Sequence, residues 1–297
     1  MKYFYRYLCL ASLVIGCVIG ASTQVSSAVD PQVKSILSKQ QDYFSKLPAY
    51  KFKTKWQTSI YAREVPITVN NECYFICKGN KFRSLSRNPD KVTQAFNGKD
   101  YQVLIEKNSI LAISRAAGNL GSPMGGLHPL VDIFSFSFLT DEAPTLQPIY
   151  ASERWQLLAD YVVSASATNM LGHDGIMIIF KGPRMVANSA VTHEVFFAAD
   201  LGYLPIHKKS TFGDGKSAEV TLTEVKSFKT KNDSIFFPTS FEIKNFRVDG
   251  NLMSTLTAAL DPSLLVMGAN VDDSVFTIPK SAARHFQEQN LSETIKQ

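Results

Sequence analysis

Cysteine is scarce in this chain, with four residues in 297. Two fall within the first 28 positions, so Cys73 and Cys77 are the whole thiol inventory of the remainder. If both lie on one extended strand, their Cα atoms stand about 13 Å apart, beyond the roughly 7 Å that a disulfide spans, and they read as two buried thiols. A metal site needs further Cys or His ligands nearby, and none flanks the pair. Charge of one sign is lacking too. Lys and Arg number 31 against 26 Asp and Glu, and no basic block is longer than Lys208-Lys209. Recognition of a phosphate backbone requires a concentrated basic face, so no nucleic-acid partner is expected.

Catalytic signatures are also missing. His193-Glu194 has no second His four residues after the first, which removes the zinc protease motif. No Gly-x-Ser-x-Gly elbow occurs, and Gly213-Asp214-Gly215-Lys216-Ser217 lacks the first glycine and the spacing of a phosphate loop. Folding could still gather His173 with Asp174 or Asp200, or bring in His193, as a hydrolase site. Such sets occur by chance in any chain of this size, and the reading without chemistry is preferred. Fixed-period repeats and low-complexity tracts are absent as well.

The amino terminus reads as an export signal: basic Lys2 and Arg6, an apolar run from Leu8 to Ala21, then Ser22 to Ala28. Ser26 and Ala28 supply small residues for cleavage after Ala28, and the apolar run is short of the roughly 20 residues of a membrane span. An alternative is Val14-Ile15-Gly16-Cys17, a lipobox-like stretch that would place a lipid anchor on Cys17. Removing residues 1–28 takes away Lys2 and Arg6 and lowers the formal charge from +5 to +3. The domain then runs over 29–279, with a polar tail, helical or irregular, at 280–297.

Pro31 to Leu47 has helical spacing, with Val33, Ile36, Leu37, Gln40, Phe44 and Leu47 on one side and Asp30 at its start. The period then changes to two: Phe52, Thr54, Trp56, Thr58 and Ile60 face one way, Lys51, Lys53, Lys55, Gln57 and Ser59 the other. Further strands are expected at 67–77, 81–86, 92–96, 101–106, 109–114, 155–166, 175–181, 192–199, 206–213, 217–229, 234–248 and 251–259. Asn97-Gly98, Asp174-Gly175, Asp214-Gly215 and Asp249-Gly250 are expected to close hairpins. The glycine- and proline-rich segment from Ala116 to Pro148, with its apolar run Leu130 to Leu139, breaks the rhythm as a short helix, a flap or core padding.

This order of motifs resembles the bacterial periplasmic outer-membrane lipoprotein carrier superfamily, LolA-like and LolB-like proteins, over most of the chain. A helix precedes the strand Phe52 to Tyr61. Lys78-Gly79-Asn80-Lys81-Phe82 is similar to the family's Arg-Pro-Asn-x-Phe, and Asn97-Gly98-Lys99 to its Asp-Gly-Lys. Ala199 to Pro205, the strand around Phe237-Pro238-Thr239 and the closing Val271 to Pro279 complete the order. The resemblance implies an α+β, β-dominated fold: a curved antiparallel sheet forming an incomplete barrel, closed by the N-terminal helix and a short helical or loop segment, around an apolar cavity. It implies no cofactor and no catalysis. Lys78 stands where the family has an arginine that influences hold and release, and Phe82 where it has an aromatic near the cavity mouth. Lysine is a flexible point charge where the family has a planar fork, and Gly79 replaces a rigid proline.

Trp56, Tyr74, Ile76 and Phe82 are the candidate cavity lining, with Lys78 beside them. The expected partners are a lipidated protein or a lipid acyl chain, together with inner- or outer-membrane machinery. A protein-recognition or sensor module on the same fold is the second reading, and a hydrolase the third.

Overall fold

The computed structural model describes residues 30–61, 65–79, 81–86, 91–114, 158–186, 189–230 and 233–289. The expected export signal with Cys17, and the Ala116 to Pro148 segment, lie outside the described residues.

Helix α1 spans Pro31–Lys46. Asp30 caps it, its Oδ1 accepting the Gln32 backbone N–H at 2.8 Å, while Pro31 occupies a position that needs no donor. Val33, Ile36, Leu37 and Gln40 are buried along one stripe. Gln40 Nε2 donates to the Tyr203 carbonyl at 2.6 Å and the Tyr43 hydroxyl to the Phe236 carbonyl at 2.7 Å. These two bonds fix the helix across the later half of the chain.

Two antiparallel meanders follow. The first comprises β1 (Tyr50–Ile60), β2 (Ile67–Lys78), β3 (Lys81–Ser86), β4 (Val92–Phe96), β5 (Tyr101–Ile105) and β6 (Ile110–Ser114). The second comprises β7 (Val162–Met170), β8 (His173–Val186), β9 (Ser189–Ala198), β10 (Leu204–Thr211), β11 (Ser217–Lys229), β12 (Ser234–Phe246) and β13 (Leu252–Leu260). The short β14 (Val266–Met267) pairs with the start of β1, and β15 (His285–Gln289) runs parallel to β6. Strand order is β15-β6-β5-β4-β3-β2-β1-β13-β12-β11-β10-β9-β8-β7. The meanders are thus joined where β1 pairs with β13, and the sheet curves without closing. This is the incomplete barrel that the motif order implied.

Alternation assigns the faces. Tyr50, Phe52, Thr54 and Trp56 lie opposite Cys77, Phe75, Cys73 and Asn71 on the core face. Phe52 stacks on Phe75 with centroids 4.9 Å apart, and Phe237 meets Tyr50 edge-on at 5.2 Å. Each such fully buried side chain contributes roughly 1.5–3 kcal/mol. On the other face Lys53 pairs with Glu72 at 2.7 Å.

That outer face has its own cover over β4 to β6. Ile278 packs on Ala95, Leu104, Leu111 and Ile113. Its backbone N–H donates to Gln102 Oε1 at 2.6 Å, and Arg83 Nη1 donates to the Val275 carbonyl at 3.1 Å. The chain from Val271 onward is therefore a strap, and it continues into β15. The expected polar tail from Lys280 is in this part a strand, His285–Gln289, because the edge of β6 offers backbone partners that a surface helix would not use.

Asn97, Asp214 and Asp249 close their hairpins as expected, each side-chain oxygen accepting the backbone N–H two residues on. Asp174-Gly175 does not. The β7–β8 turn lies at Leu171-Gly172, both at positive φ, and Gly175 is inside β8. The expected strand from Trp155 begins at Val162, after a 3-10 turn at Ala159–Tyr161. Glycine at position 175 reflects close approach: a Cβ there would lie 2.1 Å from the Phe197 carbonyl oxygen and 2.8 Å from the Phe196 ring. Gly175→Ala is expected to destabilise the fold by roughly 2 kcal/mol or more. A denaturant midpoint equal to that of the wild type would contradict this packing.

Candidate ligand-binding face

The register divides the sequence-chosen lining residues between two faces. Trp56 and Phe82 are on the core face, Phe82 1% exposed with Phe96 and Tyr101 ring centroids 6.3 and 6.4 Å away. Tyr74 and Ile76 are on the outer face, opposite Lys53 and Lys51 of β1 and Leu85 and Arg83 of β3. The four do not form one wall. Tyr74-Phe75-Ile76 is apolar on both sides of the strand, so composition leaves its phase undetermined, and Cys73, Phe75 and Cys77 take the core side.

Lys78 ends β2 and reaches the strap: its Nζ donates to Asp273 Oδ1 at 2.8 Å and to the Val271 carbonyl at 3.0 Å. Lys81 Nζ meets the other carboxylate oxygen at 2.5 Å. The two ammonium donors draw the Asp273 carboxyl down to about 2. Gly79 between them has φ +55°, which the fixed φ of the family's proline could not adopt.

Two hollows are present among the described residues. One, of 540 Å³, is lined by Lys55, Gln57, Asn70, Glu72, Ser240, Thr257 and Ala259 of the outer face and by Trp56, Asn71 and Ala258 of the core-face phase. The other, of 280 Å³, holds Tyr74, Ile76, Arg83 and Leu85.

The core face changes character along β1. Tyr50, Phe52 and Thr54 are buried, whereas Trp56, Thr58 and Ile60 are only half-buried. Leu256 and Val69 pair with Thr58 on its two sides, Ile243 pairs with Leu256, and Ile67, 46% exposed, pairs with Ile60. Ile243, Leu256 and Val69 are half-buried as well. A row of branched apolar side chains thus continues the packed core outward past Trp56 to one end of the sheet. Among the described residues the buried Trp56 Nε1 has no hydrogen-bond partner. Sequence reasoning chose Trp56 and put Ile60 on its face, but missed Ile67, Val69, Ile243 and Leu256. Their signal is cross-strand register, which one strand's alternation does not contain.

The histidines do not converge. His173 Nδ1 contacts Asp200 at 2.8 Å at the surface, and Asp174 bonds Asn169. His193, 2% exposed, contacts the Ser210 hydroxyl at 2.7 Å on the core face. His173 and Phe180, the partner of His193, are separated along β8 by roughly 23 Å. His207 shares a hydrogen bond with Thr221, and burial lowers its pKa. No cluster of metal-ligating side chains is present among the described residues.

Cys73 and Cys77 are buried and not joined in a disulfide, as the strand spacing required. Burial pushes both thiols up to about 12 from an ordinary 9.0.

No protein-family model matches the sequence, and no curated protein matches it. Among solved structures, a DUF1329 family protein from Desulfovibrio piger is 13% identical with a TM-score of 0.51, over 83% of this chain and 96% of that one. A LolA superfamily protein from Nitrosomonas europaea is 11% identical at a TM-score of 0.48, over 83% and 97% of the two chains. An outer membrane lipoprotein-sorting protein domain from Vibrio parahaemolyticus is 9% identical at 0.45, over 82% and 95%. At such identities the likeness is one of fold.

The buried thiols generate a pH prediction. Above pH 9 the unfolded chain releases two protons that the folded chain retains until about pH 12, so stability falls as pH rises through that window. A variant with both Cys73→Ala and Cys77→Ala should show a shallower decline in denaturant midpoint across it. Equal slopes, or ready modification of folded wild-type thiols at pH 8, would contradict the assignment.

Proposed function

We propose that this chain, with its LolA-like fold, is an exported, non-enzymatic protein that holds the acyl chain of a lipid or lipidated protein, in transport or sorting within the bacterial envelope. The observation that carries the reading is the half-buried apolar row Trp56, Ile60, Val69, Ile243 and Leu256 on the core face, with the exposed Ile67 at its end. Scattered single apolar residues on a surface need no explanation, but a row continuous with the core does.

Scale supports it. The main path of the sheet has 14 strands and is roughly 65 Å long measured along its curve, whereas α1, the only α-helix among the described residues, is about 24 Å long. A helix of that length leaves much of the core face to other cover. An acyl chain laid along the row exchanges water for branched side chains and gains several kcal/mol at about 25 cal/mol per Å². Trp56 suits the boundary, since its ring is apolar and its N–H can meet a ligand oxygen. Lys78, Tyr74 and Ile76, expected with it, belong in this reading to the strap and the outer face; Phe82 supports the packed end.

The name of the Vibrio parahaemolyticus neighbour concerns lipoprotein sorting, and a further neighbour is the lipoprotein LppX from Mycobacterium tuberculosis. Both are in keeping with a lipid-facing role. Export rests on residues 1–28, with cleavage after Ala28 or a lipid on Cys17.

Protein purified gently from an exporting host should carry acyl chains visible by native mass spectrometry, and Leu256→Asp should lower their occupancy while leaving the fold intact. A wild-type protein that is ligand-free and inert to fatty-acid probes would sink the proposal.

A further inference from the structure

The terminal strand of the sheet, β7, is open on three sides among the described residues. Residues 163–169 are all exposed, on both faces, and β8 is its only strand partner among the described residues. A terminal strand presents unpaired backbone N–H and C=O groups along its free side. Proteins ordinarily guard such an edge with charge, proline, shortness or bulges. Here the strand is nine residues long, Val-Val-Ser-Ala-Ser-Ala-Thr-Asn-Met, with no charged residue and no proline. Its one irregularity lies at Val162/Ser164, near its start.

The same sequence is close to complementary with itself. Antiparallel pairing about a two-fold axis at Ser166 sets Ala165 opposite Ala167, Ser164 opposite Thr168, and Val162 opposite Met170. Small residues meet small ones, hydroxyls meet hydroxyls, apolar ends meet apolar ends, Val163 opposite Asn169 is the one unlike pair, and no like charges are opposed. A two-fold contact uses one patch twice, so a patch that matches itself is what it requires.

We propose that β7 pairs with β7 of a second copy of this chain, antiparallel and centred on Ser166, extending the sheet across a two-fold axis. Two nine-residue strands make a contact at the small end of specific interfaces, so the dimer depends on concentration. The far side of the sheet and the apolar row near Trp56 take no part, so the inference stands apart from the lipid reading.

Sedimentation velocity on the mature protein should show a monomer–dimer equilibrium. Ser166→Lys opposes two ammonium groups at the axis and should raise the dimer dissociation constant about fivefold or more, with the monomer's thermal unfolding unchanged because position 166 is exposed. Ser166→Cys should cross-link to itself on mild oxidation, since directly opposed residues stand about 4.5–5.5 Å apart at Cα, within disulfide reach. Ser164→Cys, which faces Thr168, should cross-link less. Cys73 and Cys77 are buried and do not compete. A protein that stays monomeric, a dimer indifferent to Ser166→Lys, or an extended peptide captured by β7 of a monomer would each overturn the proposal.

Discussion

The architecture hangs on the pairing of β1. This strand is hydrogen-bonded on one side to β2 and on the other to β13, and it is the seam through which two separate meanders become one sheet. Its alternation sets the phase for both. Tyr50 and Phe52 commit Cys77 and Phe75 to the core, and Thr54 and Trp56 commit Leu260 and Ala258. A slip of one residue would bring Lys51, Lys53 and Lys55 inside, at a cost no aromatic contact could offset. The lysines thus specify the fold as firmly as the aromatics do.

The same strand divides the core face into two regimes. At the Tyr50 end, α1, Phe75 and Phe237 fill the space, and burial is complete. Beyond Trp56, branched residues from β1, β2, β12 and β13 remain half-buried. Among the described residues the row is only half-buried, so it makes fewer of the dispersion contacts that a filled core would provide. On the proposed function, a guest with the shape and polarity of a hydrocarbon chain would restore them. The opposite face is treated differently, with the strap from Val271 sealing β4 to β6 and Lys78 and Lys81 tying it down through Asp273.

Much of this was legible in the sequence. The helix from Pro31, the hairpins at Asn97, Asp214 and Asp249, and the two unbridged thiols follow from local chemistry, which the chain states outright. What depends on pairing between distant strands did not show. Tyr74 and Ile76 read as lining because an apolar stretch on both sides of β2 conceals its phase, and only opposition to Lys53 and Lys51 reveals it. Ile243 and Leu256 belong to the same patch as Trp56 although nearly two hundred positions separate them, and that proximity exists only through the β1–β13 seam. Asp174-Gly175 has the composition of a turn, but the Phe196 and Phe197 backbone and ring claim its glycine for close packing.

On the proposed function, the core face beyond Trp56 receives an acyl chain. Paramagnetic relaxation from a fatty acid spin-labelled along its chain, read on the methyl resonances, tests it directly. The account predicts broadening of the Ile60, Val69, Ile243 and Leu256 methyls, with those of Ile178 and Val195 in the filled core left sharp. Broadening confined to Ile76 and Leu85 on the outer face, or none at all, would contradict it.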